Sequence, residues 1–168
     1  MKLTLVLWNI RSILNVGAIL RTAEGLGVAE VVFCGYTPNP DKGLAHEREK
    51  LRAAIHKSAL GAEEMVRWWY EPDISTAIRS LRDAGVVVCA LEQREDSLKF
   101  GSRECDEFLS EHSAIALILG EERYGLTDEI LTLVDATLEI PMQGCKESFN
   151  VSVAAGIAAW EITSSRGR

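Results

Sequence analysis

Two kinds of hydrophobic pattern alternate along the chain. Leu3–Trp8, Glu30–Cys34, Val86–Leu91, Ala114–Leu119 and Leu138–Ile140 are apolar nearly throughout, and each predicts a strand buried on both faces. Between them, apolar residues return every three or four positions. Val16, Ile19, Leu20, Ala23 and Leu26 predict a helix with Asn15 as N-cap and Gly27 as the residue that ends it. Ile74, Ala77, Ile78 and Leu81 predict a second over Asp73–Ala84, stopped by Gly85. Thr127 caps a third over Asp128–Val134, with Asp128 and Glu129 placed well for the helix dipole. Val151–Ile162 is the last, entered through Ser148 and Asn150, both good capping residues.

The remaining stretches lack this periodicity. His46–Glu64 is mixed in charge and reads as a solvated helix face. Tyr36–Gly43, with Pro38, Asn39, Pro40 and Asp41, is a loop by turn chemistry. Leu91–Ser113 is mainly loop, with a short helix around Cys105–Leu109. Trp68, Trp69 and Tyr70 are assigned to core or interface, because no basic–aromatic alternation marks them as a base-stacking surface. Apolar strands alternating with helices predict an α/β fold with a mostly parallel sheet and helices on both faces. No linker or repeat divides the chain, so residues 1–168 are expected to form a single domain.

Composition narrows the class. With 47% apolar and 26% charged residues, and no apolar run of membrane-spanning length, the chain is expected to be soluble, unexported and cytoplasmic. Cys34, Cys89, Cys105 and Cys145 are scattered without a C-x-x-C pair, which argues for a reducing compartment and against a metal site. The net charge of −7 means that any nucleic acid must be met by a local basic patch.

Several catalytic frameworks are missing. No G-x-G-x-x-G follows the first strand, so a Rossmann-type oxidoreductase has little support, and there is no P-loop or G-x-S-x-G elbow. His46, His56 and His112 have neither a nucleophile nor ligand spacing beside them. Three polar clusters remain at strand ends: Asn15 with Arg21, Gly120 with Glu122 and Gly125, and Ser148 with Asn150 and Ser152. Strand ends that lead into helices are where α/β proteins keep their ligands. On local grounds Ser148 and Asn150 serve equally well as helix caps, and Arg21 as a surface charge pairing with Glu24.

The segments NVGAILRTA (Asn15–Ala23), LGEERYGL (Leu119–Leu126) and IPMQG…SFNVSVA (Ile140–Ala154) resemble, in order and spacing, the three motifs of the SpoU (TrmH-type) RNA ribose 2′-O-methyltransferases of the SPOUT superfamily. KSALGAE (Lys57–Glu63) also resembles a segment common in that family, and Phe149 stands where leucine is usual. The resemblance implies a C-terminal deep trefoil knot, a homodimer with active sites near its interface, S-adenosylmethionine as cofactor, and an RNA partner, tRNA first and ribosomal RNA second. It implies Arg21 as the catalytic arginine, supported by Asn15, with Glu122, Ser148 and Asn150 completing the site. The cofactor would lie against Leu119, Gly120, Ile140, Met142, Ser148 and Phe149.

An arginine keeps its proton above pH ~12, so Arg21 is poorly suited to act as the base. Stabilising the developing alkoxide and gripping a neighbouring phosphate suit it better. Arg11, Arg48, Arg52, Lys57 and Lys146 are the candidates for a basic patch pooled by dimerisation. A non-catalytic RNA-binding protein of the same fold is the alternative, disfavoured by the intact Arg21, Glu122, Ser148 and Asn150.

Overall fold

The computed structural model describes residues 1–122 and 124–164. A seven-stranded sheet carries the chain: β1 (Lys2–Trp8), β2 (Glu30–Cys34), β3 (Trp68–Glu71), β4 (Val87–Leu91), β5 (Leu98–Lys99), β6 (Ala114–Leu119) and β7 (Ala136–Glu139). Every pairing is parallel and the spatial order is β3-β2-β1-β6-β4-β7-β5. The helices are α1 (Ile13–Gly25), α2 (Ala45–Ala59), α3 (Ala62–Met65), α4 (Ile74–Asp83), α5 (Arg103–Glu111), α6 (Asp128–Leu131) and α7 (Val151–Ser164). The parallel α/β architecture expected from the sequence is present.

Side-chain alternation splits the strands between two cores. Leu3, Leu5, Leu7, Val31, Phe33, Cys89, Ile115 and Leu117 point to one face, where they meet α1, α5, α7 and Ile55 of α2. Val6, Val32, Val88, Ala90, Ala116 and Ile118 point to the other, beneath Ile74, Ala77, Ile78 and Leu81 of α4 and Ile130 of α6. Cores on both faces explain why these strands are apolar throughout.

Local signals set most boundaries. Asp73 caps α4 by accepting from the Thr76 N–H at 3.0 Å, and Gly85 follows with φ +76°. Gly27 ends α1 at φ +65° as expected, but Asn15 is not its cap. Ser12 begins the helix earlier, its Oγ accepting from the Asn15 N–H at 3.2 Å, which frees the Asn15 side chain for other partners. Gly17 lets α1 meet α2 closely: a Cβ there would lie 2.1 Å from Ser58 Oγ and 2.6 Å from the Ile55 carbonyl oxygen. Trp68–Glu71 forms an edge strand, with Trp68 edge-on to Phe33. Helix α5 is longer than its apolar spacing implies, because Ser102 caps it at Cys105. Helix α6 stops at Leu131, short of the expected Val134.

No described helix is long and apolar enough to cross a membrane. Among the described residues no group of three His, Cys, Asp or Glu side chains could hold a metal ion.

Candidate active site

The carboxyl ends of β4, β6 and β7 open into one cleft of about 680 Å³, within the size range of small-molecule sites. Such a position, outside the strand ends of a parallel sheet, is where this architecture binds ligands. Leu119, Gly120, Ile140, Ser148 and Phe149 of the expected cofactor set line it, as do Glu122 and Asn150. Met142 is not among the lining residues.

The loop after β6 is shaped by two glycines. Gly120 packs against Gly125 so tightly that a Cβ would lie 2.6 Å from the Gly125 carbonyl carbon. Gly125 has φ +64°, and a Cβ on it would lie 2.3 Å from a Glu92 carboxylate oxygen. The Gly125 N–H closes the loop onto the Glu121 carbonyl at 3.0 Å. Glu92, at the end of β4, accepts from the Leu126 N–H at 3.1 Å and so fixes the loop from below. Its neighbour Gln93 donates to the Glu147 carbonyl at 2.7 Å, tying the segment before α7 to the same strand end. Arg94 adds an ion pair to Asp128 at 2.9 Å. The stretch Glu92–Arg94 was not anticipated as part of the site. Its signal was its place just after a fully apolar strand, but the partners it holds lie 34 and 54 residues away.

A chain of hydrogen bonds joins all three motifs. Glu122 accepts from the Ser12 and Arg11 N–H groups, each at 3.3 Å, and from Asn15 Nδ2 at 3.0 Å. Asn15 Oδ1 accepts from Asn150 Nδ2 at 3.3 Å, and Asn150 Oδ1 accepts from the Ser152 N–H at 2.9 Å. Because a carboxylate only accepts and an N–H only donates, both amides are held in one orientation. Asn150 therefore caps α7 and reaches α1 at once. Burial pushes the Glu122 carboxyl upward. The hydrogen bonds from Asn15 and from the Arg11 and Ser12 N–H groups outweigh it and leave the carboxyl below the usual range. Its place beyond the first turn of α1 suits a negative charge.

Arg21 stands apart. It is exposed on α1, does not line the cleft, and has no ion pair or hydrogen bond to a described residue, Glu24 included. Arg123 of the second motif lies outside the described residues. Three of the candidate patch cations are engaged locally: Arg11 with Tyr36 and Glu121, Arg48 donating to the Gly43 carbonyl at 2.8 Å, and Arg52 pairing with Asp41.

A parallel α/β sheet with a cleft at its strand ends, closed by a glycine loop and by polar contacts between two helix starts, places this chain in the class of α/β proteins whose ligand position lies outside the strand ends. Its relatives narrow this further. Residues 2–160 match the model of the SpoU rRNA Methylase family, and the chain belongs to that family. It is 33% identical over 159 residues to a tRNA (guanosine(18)-2′-O)-methyltransferase of Thermus thermophilus, covering 95% of this chain and 73% of that protein. An AdoMet-bound rRNA methyltransferase from Sinorhizobium meliloti superposes with a TM-score of 0.80 at 24% identity; the match covers 96% of this chain and 55% of that one. A structure described by the 2-OH methylation of C/U34 on tRNA matches with a TM-score of 0.75 at 26% identity, covering 99% of this chain and 98% of that one.

Proposed function

We propose that this chain is an S-adenosylmethionine-dependent RNA methyltransferase acting on a ribose 2′-hydroxyl, with tRNA as its first substrate class. The observation that carries the reading is the hydrogen-bonded link Glu122–Asn15–Asn150 at the mouth of the cleft. It brings residues of three distant motifs together beside a pocket of cofactor size. Ribosomal RNA is the second substrate class, favoured by the description of the family.

The cleft fits the cofactor. Apolar Leu119, Ile140 and Phe149 suit an adenine and a thioether, while Ser148 and the backbone of the glycine loop offer polar contacts. S-adenosylmethionine supplies an electrophilic methyl on a sulfonium, whose positive charge is discharged on transfer. The chain's part is to position a ribose in line with that methyl and to keep water out. Glu122, already saturated by donors and held below its ordinary value, is a poor base and a good anchor for α1. Arg21 is assigned to the developing alkoxide and a neighbouring phosphate, the proton leaving by another group or water.

The same reading includes a homodimer. Leu14 and Arg21 are one heptad apart on α1, as are Val153 and Trp160 on α7, and the two helices pack together. Leu14 is 61% exposed and Trp160 56%, an apolar face that a second copy would cover. Pairing there would carry Arg21 toward a partner's cleft, which accounts for its distance from its own. The trefoil knot and a cytoplasmic location also belong to this proposal.

Mass spectrometry of RNA from cells with and without the gene tests the activity: one 2′-O-methyl should be lost. Calorimetry with S-adenosylmethionine and its demethylated product tests the cleft, and absence of heat with both would favour a non-catalytic RNA-binding protein. RNA binding should weaken steeply with salt, and a flat dependence would argue against RNA.

A further inference from the structure

Beside the cleft, where Glu121 and Glu122 line it, an aromatic ring and a cation are fixed together at the surface. Tyr36 follows β2 and Arg11 follows β1. The Arg11 guanidinium lies over the Tyr36 ring at 5.6 Å from its centroid, its Nε donates to the Tyr36 hydroxyl at 3.2 Å, and that hydroxyl donates to Glu121. Arg11 also reaches Glu121 at 3.7 Å. Both remain open to solvent, the Arg11 side chain 63% exposed and Tyr36 41%.

Their backbone is unusually well held for two exposed residues. Asn9 takes a left-handed φ of +57°, which asparagine adopts more readily than other L residues, and its Oδ1 accepts from the Tyr36 N–H at 3.0 Å. Gly35, at φ +62°, leaves the space Asn9 needs; a Cβ there would lie 2.0 Å from Asn9 Oδ1. Buried Thr37 donates to the Leu7 carbonyl at 2.7 Å and accepts from the Ile10 N–H at 3.1 Å. Lys42 donates to the Tyr36 carbonyl at 2.7 Å. A loop tied down by hydrogen bonds on several sides next to a cleft holds its exposed side chains in place for contact. A rigid ring loses little entropy on stacking, and a partly neutralised guanidinium above it adds a phosphate donor.

We infer that Tyr36, with Arg11 over it, is the seat for one nucleotide of the RNA substrate, the ring stacking on its base and the guanidinium taking an adjoining phosphate. Tyr36 is then a positioning residue that delivers a ribose to the cleft. The inference rests on the methyltransferase reading for its choice of RNA, and the two are separable by experiment.

Total RNA from cells lacking the gene serves as the probe, with tritiated S-adenosylmethionine for methylation and filter binding for affinity. Wild-type protein that incorporates no label overturns the methyltransferase reading, while the seat is judged on binding. Stacking on one aromatic is worth enough that Tyr36→Ala should weaken RNA binding by about tenfold and raise the KM for RNA alike. S-adenosylhomocysteine affinity should stay within about twofold in that variant. Tyr36→Phe and Tyr36→Trp should restore most of the RNA affinity. Tyr36→Leu, which keeps bulk beneath Arg11 and guards against misfolding, should not. Arg11→Ala should weaken binding and lower the salt slope by about one. RNA binding unchanged in Tyr36→Ala, or a Phe variant as weak as the Ala variant, overturns the seat. So does an equal loss of S-adenosylhomocysteine affinity, which would make Tyr36 a prop for the cleft.

Discussion

On one side of the cleft, the loop after β6 turns back so closely that Gly120 lies against the Gly125 carbonyl and Gly125 against Glu92. On the edge facing α1, contact is made through side chains: Glu122 to Asn15, Asn15 to Asn150, Tyr36 to Glu121. The first side rests on close backbone approach, Gly120 against Gly125, with the Glu92 carboxylate bonded beneath the loop; the second rests on side-chain hydrogen bonds alone, which can be lost one at a time. A backbone-built wall suits a cofactor that is the same in every turnover. A side-chain-built edge suits a substrate that must enter, be read and leave. The two sides should therefore fail differently, one abruptly and one by degrees.

The most severe test concerns a residue on neither side. Arg21→Ala is expected to lower methylation on the order of 100- to 1,000-fold while S-adenosylmethionine still binds in calorimetry. Retained activity would mean that the two sides suffice and that no guanidinium is needed. Near-full activity in Arg21→Lys would likewise remove any mechanism that depends on the planar fork. Mixing Arg21→Ala chains with Gly125→Val chains, at an S-adenosylmethionine concentration too low to load the Gly125→Val cleft, separates two arrangements. If Arg21 serves a partner's cleft, mixed dimers contain one intact site and activity returns. If it serves its own, the mixture stays inactive.

Gly125→Val tests the rigid side directly. It forces a β-branched residue to φ +64° and drives a Cβ into Glu92. Strain of this kind costs about 1–3 kcal/mol, so S-adenosylhomocysteine binding should fall roughly tenfold or more, with a lower Tm. Asn15→Ala, on the hydrogen-bonded edge, should cost only about 1 kcal/mol and reduce activity several-fold without abolishing cofactor binding. Equal losses in both variants would erase the contrast between the two sides.

The same contrast explains what the sequence made legible. Strands buried on both faces announce themselves by unbroken apolar runs, and α4 by its spacing between Asp73 and Gly85, so the five central strands of the parallel sheet were readable from the sequence. The start of α1 was not, because exposed Leu14 breaks the apolar stripe and hides the turn that Ser12 caps. The edge strand β3 is short and follows a charged helix, and β5 has two residues, too few for any period to show. In the site, Gly120 and Gly125 carry a local signal because glycine marks close approach. The link from Asn15 to Glu122 spans 107 residues and that from Asn15 to Asn150 spans 135. No spacing encodes such contacts, and only the resemblance of three motifs in order pointed to them. Glu92–Arg94 lay outside those motifs and was missed for that reason.

The smallest effect distinguishes the charge of Glu122 from its shape. Its carboxyl is held below the ordinary value of about 4.3 by donors at the start of α1. A depressed acid contributes stability that is complete above its unfolded value and is lost as pH falls through the lower, folded one. Glu122→Gln keeps the size of the side chain but removes the charge and turns part of it into a donor facing N–H groups. The Tm of the variant should therefore lie below that of the wild type at pH 6–7, by the equivalent of about 1 kcal/mol or less because the group is solvent-screened. The gap should narrow as pH drops below about 4 and shrink with added salt at neutral pH. Glutamate that anchors α1 through its charge predicts this closing gap. A difference of the same size at pH 3 and pH 7 would instead assign the anchoring to geometry alone, and the edge facing α1 would then resemble the glycine-built wall opposite it.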